Sequence, residues 1–476
     1  MLSLVGDFMQ YRPVPLKATL DSLPPVWPED LIPEIEAILQ ASPSMVFVLD
    51  DDPTGAQTVH NASFLTEWSP DVLLSERYQP EEATFLLINT RAKTEEQAVK
   101  INTDLGLEFG RLSRQLRIPI SVISRSDSTL RGHFPAEVDA LAEGMGNSHD
   151  GIIFIPFFIQ GGRYTIDNVQ YVSDGNMLVP VAQTPFAKDS AFGYKSSNLC
   201  DWIEEKTQGR VSSEEVITIS IDEIRIGGPD AVEEKLKQVD QNNICIINSA
   251  DMRDLDVVAL AILRLQSKHC KNYLIRSSAS FVRSRLGQRE KPILTKKEMD
   301  YPNKGGALIL VGSHVPGSTS QLESLLDVPN VYGLELEVDK VLGEDKEHIS
   351  SVIGRADKLL EESKDTVIYT SRKVITGSSP EEYLKIGGII TGAMTEVVSG
   401  ISVTPRYVIS KGGMTSSNII ANALNMKRAT VPGQISPGVL VLQMGSESKY
   451  PGSKLILFPG NVGGPTAISD VILRMR

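Results

Sequence analysis

From residue 45 onward the chain alternates between short apolar runs and longer stretches with helical spacing. Met45–Leu49, Ala62–Thr66, Thr84–Asn89, Ile118–Ile123 and Gly151–Ile155 are apolar runs bounded by polar or turn residues, the pattern of buried strands. Between them, Thr94–Leu116 and Phe134–Glu143 repeat apolar positions along one helix face. That order predicts a layered α/β sheet with mostly parallel strands. After a gap the alternation resumes with strand Val216–Ile221, helix Asp230–Val239, strand Asn243–Asn248, helix Asp254–Gln266, strand Asn272–Arg276 and a short helix to Leu286.

Two stretches fall outside this rhythm. Prolines at 13, 15, 24, 25, 28, 33 and 43 interrupt residues 1–44, where only Glu34–Gln40 reads as a helix. The expectation is an arm laid across the domain or a partner subunit, with a disordered tail as the competing reading. Pro156–Ser197 is rich in glycine and aromatics, and reads as a long irregular, functional loop. A polar, broken stretch over 287–306 marks a domain boundary. Beyond it, strand Ala307–Val311, helix Ser318–Leu326, strand Val331–Leu336, helix Asp345–Ser363, strand Thr366–Thr370, helix Pro380–Gly400 and strand Arg406–Ser410 make a second α/β unit. The expected organisation is an arm over 1–44, a first domain over 45–290, a linker over 291–305 and a second domain over 306–476. Each domain is expected to be a mostly parallel sheet flanked by helices, with the active site in the cleft between them.

Composition narrows the function. A chain of 476 residues exceeds one ordinary core. A net charge of -13 speaks against a nucleic-acid surface, yet leaves room for a small anion held by a local Arg or a helix N-terminus. No run approaches the ~20 apolar residues of a membrane helix. Cys200, Cys245 and Cys270 are too widely spaced for a metal motif and suit a reducing compartment. The first residues lack a secretory pattern, so the cytoplasm is expected. A homodimer is expected from the prevalence of two-fold assemblies.

The candidate chemistry sits at strand ends, where open α/β sheets bind ligands. Strand Met45–Leu49 runs into Asp50-Asp51-Asp52-Pro53-Thr54-Gly55-Ala56. Three adjacent acids serve no packing purpose, although a solvated turn or helix cap is the plain alternative. Asn89-Thr90-Arg91 ends another strand, and an Arg there suits a carboxylate or phosphate, or a simple surface ion pair. Ser124 to His133 holds three hydroxyls after Ser124, one carboxylate and two guanidiniums, which suits a small polyhydroxylated anion. His133, with no paired ligand, reads as structural. In the second domain three glycine-bearing turns follow strands: Gly312-Ser313-His314, Lys411-Gly412-Gly413-Met414-Thr415 and Gly460-Asn461-Val462-Gly463-Gly464. Their backbone N–H groups could cradle phosphate. None is a Walker A motif or a dinucleotide fingerprint. Gly387, Gly388 and Gly392 could admit a ligand or a neighbouring helix. A polyhydroxy-acid site on one domain and a phosphate site on the other suggest phosphoryl transfer.

With these motifs the chain resembles the four-carbon acid sugar kinases. The resemblance rests on Asp51-Asp52-x-Thr54-Gly55-Ala56, Asn89-Thr90-Arg91, Asp127-Ser128-Thr129-Leu130-Arg131-Gly132, Gly162-Arg163 and Phe192-Gly193-Tyr194-Lys195-Ser196-Ser197-Asn198. In the second domain it rests on Gly312-Ser313, Gly412-Gly413-x-Thr415 and Gly460-Asn461-Val462-Gly463, and it spans about 45 to 470. It implies ATP-dependent phosphorylation of threonate, erythronate or their oxo forms, with Mg²⁺. The implied sugar-acid contacts are Asp51, Arg91, Asp127, Ser128, Thr129 and Arg131. The implied ATP contacts are Ser313, Gly412, Gly413, Met414, Thr415, Gly460, Asn461, Val462 and Gly463. Asp51 and Asp52 are the candidate catalytic carboxylates, and Asp50 is the expected bystander. Met414 and Asn418 depart from residues common at those places in the family. Two other readings are a non-catalytic regulator that binds ATP or a sugar acid, and an NAD(P)-dependent dehydrogenase of the same acids.

Overall fold

The structure is a computed structural model, and it describes residues 11–76, 82–146, 149–301, 303–312, 316–372, 380–460 and 462–476. The chain divides into two compact units, Met1–Asp51 with Trp68–Glu290, and Asp52–Glu67 with Lys291–Arg476. The division falls on the peptide bond between Asp51 and Asp52, a return of the chain that strand–helix alternation does not reveal.

The first unit carries seven parallel strands in the order Ile217–Ile219, Asn243–Ile247, Gly151–Ile155, Tyr273–Ser277, Ile120–Arg125, Met45–Asp50 and Thr84–Leu87. The apolar runs form strands because their residues are buried on both faces: all of Met45–Asp50 and Ile120–Arg125 is buried. Helix Glu95–Leu116 starts on a capping box between Thr94 and Gln97 and stops where Arg117 turns left-handed. It brings Phe109 onto Phe47, with ring centroids 4.8 Å apart.

One expectation is corrected here, and one pair of alternatives is decided. The segment Pro156–Ser197 is not irregular: Arg163–Ile166, Val169–Asp174 and Met177–Pro180 form an antiparallel sheet. Tight turns at Asp167-Asn168 and Gly175, all with positive φ, connect its strands. Residues 11–44 are not a tail. Val14–Pro15 joins that sheet beside Met177–Leu178, and helices Leu16–Ser22 and Ile32–Ala41 follow. Arg253 Nη1 donates to Trp27 O at 2.9 Å, and Arg264 pairs with Glu34 at 2.7 Å, which fastens the arm to the first unit.

The second unit's sheet runs Ala62–Leu65, Arg428–Ser436, Val439–Met444, Lys454–Phe458, Tyr407–Lys411, Leu308–Val311, Asp365–Thr370 and Val331–Leu336. Its last five strands are parallel and the first three pairings are antiparallel. Ile309, Val311, Val367, Ile409, Ile456 and Phe458 anchor its core. Among the described residues no helix is long and apolar enough to cross a membrane.

Candidate functional site

The strand ends of the first unit separate the three adjacent acids. Asp50 closes its strand, fully buried, and pairs with Arg125 of the neighbouring strand at 3.2 Å. This is a structural ion pair inside the sheet. Asp51 turns the other way. Its Oδ1 accepts from Thr90 Oγ1 at 2.8 Å and from the Arg91 backbone N–H at 3.1 Å. Those donors are in place because Asn89 is left-handed and starts a short 3₁₀ turn, Thr90–Ala92. Asp52 Oδ1 accepts from the backbone and hydroxyl of Thr54, at 2.9 and 2.7 Å. It belongs to the second unit, where its Oδ2 lies 3.7 Å from the place a Cβ on Gly413 would take.

The turn after strand Ile120–Arg125 gathers the sugar-acid candidates around Asp127. Asp127 Oδ2 accepts from Thr129 Oγ1 at 2.5 Å and Arg131 Nε at 2.6 Å, with Arg91 Nη1 at 3.4 Å. Burial alone would raise the Asp127 carboxyl, but the charges of Arg91 and Arg131 and the hydrogen bonds from Thr129 and Arg131 hold it below its ordinary value. Arg131 also reaches Asp189 at 3.6 Å and lies over the Phe186 ring, which Arg163 shares at 5.6 Å. Burial depresses Arg163, partly offset by Asp127. Arg91, Arg131 and Arg163 therefore outnumber the two carboxylates beside them, Asp127 and Asp189.

The turn is pinned from behind. Tyr194 Oη donates to Thr129 O at 2.7 Å, and Gln170 Nε2 donates to Ser128 O at 2.9 Å. These contacts make Gln170 and Tyr194, both within Pro156–Ser197, part of the wall of this turn. His133 Nε2 sits 3.2 Å from Thr90 O and 3.1 Å from Lys93 O, a structural bridge.

Two charged residues beside Asp51 have no place in the sequence reading. Arg276, on strand Tyr273–Ser277, is 1% exposed and lies over the Phe134 and Phe154 rings. Glu137, from helix Ala136–Gly144, is 4% exposed, and its Oε2 is 3.7 Å from Arg276 Nη1. An Arg inside an otherwise apolar strand was the available signal for the first. An acid in a helix's first turn gave none for the second, because such acids ordinarily face solvent.

In the second unit the glycine turns lie together at the ends of parallel strands. Gly412 has φ 103, and its N–H donates to Phe458 O at 2.9 Å. A Cβ on Gly312 would come 2.5 Å from Thr415 Oγ1, so the first and second turns approach as only glycine allows. Gln321 Nε2 donates to the carbonyls of Val462, Gly463 and Gly464, each at 3.1 Å, which fixes the third turn to helix Pro316–Leu326. Met414 lies on helix Gly413–Asn418, and Gly460 follows strand Lys454–Phe458. Ser313 and Asn461 lie outside the described residues. A Cβ on Gly387, Gly388 or Gly392 would meet nothing within 4 Å among the described residues, so no neighbouring helix packs closely there.

Lys411 is the further cation at this cluster. It is fully buried, its Nζ donates to Pro459 O at 2.7 Å, and burial lowers it to about 8. Among the described residues no group of three or more His, Cys, Asp or Glu side chains is placed to hold a metal.

The comparisons with known proteins meet this geometry domain by domain. A sugar-binding N-terminal domain model matches residues 46–285, and a nucleotide-binding C-terminal domain model matches residues 308–468. The chain belongs to the four-carbon acid sugar kinase family, whose two-domain architecture this is. Its fold is similar to that of a Haemophilus influenzae protein of a family of unknown function, at 16% identity and a TM-score of 0.64, over 91% of this chain and 100% of that one. It is also similar to a Salmonella typhimurium LT2 protein described as a provisional tRNA synthase, at 15% identity and a TM-score of 0.66, over 91% of this chain and 98% of that one. No curated protein matches the chain.

Proposed function

We propose that this chain is an ATP-dependent kinase that phosphorylates a hydroxyl of a four-carbon sugar acid of the threonate, erythronate or oxo-tetronate type. The carboxylate of Asp51 carries the reading. Two donors lock Oδ1, while Oδ2, buried, has no hydrogen-bond partner among the described residues. A group that orients an alcohol and takes its proton needs such a fixed acceptor. Arg91, Arg131 and Arg163 supply the positive charge that a sugar carboxylate needs, and Ser128 and Thr129 border the same turn. The match to a sugar-binding domain supports this assignment, and the match to a nucleotide-binding domain supports ATP on the glycine turns.

Lys411 is the residue best suited to neutralise nucleotide phosphate, since it is buried beside Gly412. Mg²⁺ in phosphoryl transfer needs only one or two protein carboxylates besides the phosphates. Asp52, beside Gly413, fits that role, and the ion would offset charge on the phosphates.

The test is ATP consumption against stereoisomers of threonate, erythronate and their oxo forms, with the phosphorylated position read by NMR. Turnover with one of these acids is expected. ATP consumption no higher with any acid than without one would overturn the reading.

A further inference from the structure

Next to Asp51 lies a set of charges that the proposed reaction does not use. Arg276 stands in register with Ser124 and Phe154 on its two flanking strands, at the end of the sheet where the candidate turn begins. Its Nε, Nη1 and Nη2 have no hydrogen-bond partner among the described residues, and neither do Asp51 Oδ2 and Glu137 Oε1. The 3.7 Å from Arg276 to Glu137 is an ion pair too long for a hydrogen bond.

These side chains come together beside Gly132. A Cβ on Gly132 would lie 3.5 Å from Arg276 Nη2, 3.8 Å from Asp51 Oδ2 and 3.9 Å from Glu137 Oε2. Gly132 carries no Cβ, so no side chain of its own stands between these groups, and its φ of 129 is one that side chains rarely adopt.

The chemistry of the lining selects the occupant. A carboxylate offers only acceptors and would meet two acids. An ammonium offers only donors and would meet the guanidinium. A methyl group would leave every one of these atoms unsatisfied. An alcohol hydroxyl accepts from Arg276 and donates to Asp51 or Glu137, so it satisfies both kinds of group at once. Burial and the charge of Asp51 raise the Glu137 carboxyl, partly offset by Arg276, which favours a form able to donate as well.

We propose that Gly132, Asp51, Glu137 and Arg276 form an inner subsite for one alcohol hydroxyl of the substrate, with Glu137 and Arg276 as its specificity-determining residues. The proposal rests on the sugar-acid reading above. It assigns the substrate's carboxylate to the guanidiniums around Asp127 and one of its hydroxyls to the floor beside Asp51.

Calorimetric titration tests it. The wild type, Glu137→Gln and Arg276→Lys are titrated with threonate, erythronate, their oxo forms and the monodeoxy analogues of each. For one position, the wild type should bind the deoxy acid about a hundredfold more weakly than its parent, because the site's polar groups are left unpaired. Glu137→Gln, which keeps the size of the side chain, should lose most of that discrimination. Its thermal midpoint and its affinity for ATP should stay close to those of the wild type, which separates specificity from folding. Arg276→Lys should behave alike if it folds. If Glu137→Gln keeps the full discrimination, or if the wild type binds every deoxy acid as tightly as its parent, the subsite is overturned alone. If the wild type binds none of these acids, the sugar-acid reading falls and the subsite falls with it.

Discussion

Asp50, Asp51 and Asp52 are consecutive and do three different things. Asp50 neutralises Arg125 inside the sheet, Asp51 presents one locked and one open oxygen, and Asp52 caps the Thr54 turn. Removing Asp50 leaves Arg125 without its acid, so Asp50→Ala should cost about 3 kcal/mol of stability in denaturant unfolding. Asp51→Asn keeps the shape and should lower kcat by about 10² to 10⁴ with little change in KM, the loss typical of a missing general base. Normal turnover in Asp51→Asn would remove the base from Asp51. Lys411 makes a pH prediction. Its folded value of about 8 is below the ordinary 10.5, so between these the unfolded chain holds more protons. Stability of the ligand-free protein from this group therefore rises with pH across that window. A bound phosphate reverses the preference, so ATP binding near pH 8.5 should take up a proton. Binding enthalpies measured in two buffers of different ionisation heat should differ, and the difference should vanish in Lys411→Met. At this scale charge density at a strand end, visible in a string of letters, singled out Asp51, Asp127 and Arg131 as candidates, and Arg91 joined them through the family resemblance. Arg276 left only the trace of an Arg in an apolar strand, and Glu137 none, because what sets them apart is burial with unsatisfied polar atoms, a property of packing.

The elements explain why a long stretch of chain is spent behind one turn. Hydrophobic alternation located the strands of the first unit's parallel sheet and four of the second unit's closely, since continuous apolar runs are strong signals, but it stopped short of Arg428–Ser436, Val439–Met444 and Lys454–Phe458. It missed the sheet formed by Arg163–Ile166, Val169–Asp174 and Met177–Pro180, where short strands carry mixed polar residues such as Thr165, Gln170 and Ser173. Those polar residues are there for a reason: Gln170 is buried and spends its amide on Ser128 O and Pro156 O. Tyr194 does the same for Thr129. Tyr194→Phe should leave Thr129 O without its donor and loosen the turn around Asp127. The expected result is a several-fold rise in KM for the sugar acid, with the KM for ATP unchanged, in steady-state assays. A change confined to ATP would show that the turn serves another ligand.

For the whole molecule, the division of labour between two α/β units was legible, and its discontinuity was not. Pairing of Ala62–Leu65 with Arg428–Val431 joins residues far apart in sequence, and no local pattern announces it. Phe64 and Leu65 are fully buried there, and Thr66 Oγ1 donates to Met426 O. A polypeptide of residues 291–476 would lack this strand. It should unfold at a lower temperature than the same polypeptide given residues 52–67 by fusion, as read by circular dichroism.

The detour also sets a clock on biosynthesis. Thr66 leaves the ribosome 360 residues before its partner at Met426. At typical elongation rates that interval is roughly 20–70 s. The first unit's strands are all available long before then, yet the pairing of Ala62–Leu65 with Arg428–Val431 waits until the last quarter of the chain emerges. A strand edge held open for that long is a natural client for a chaperone that binds extended segments.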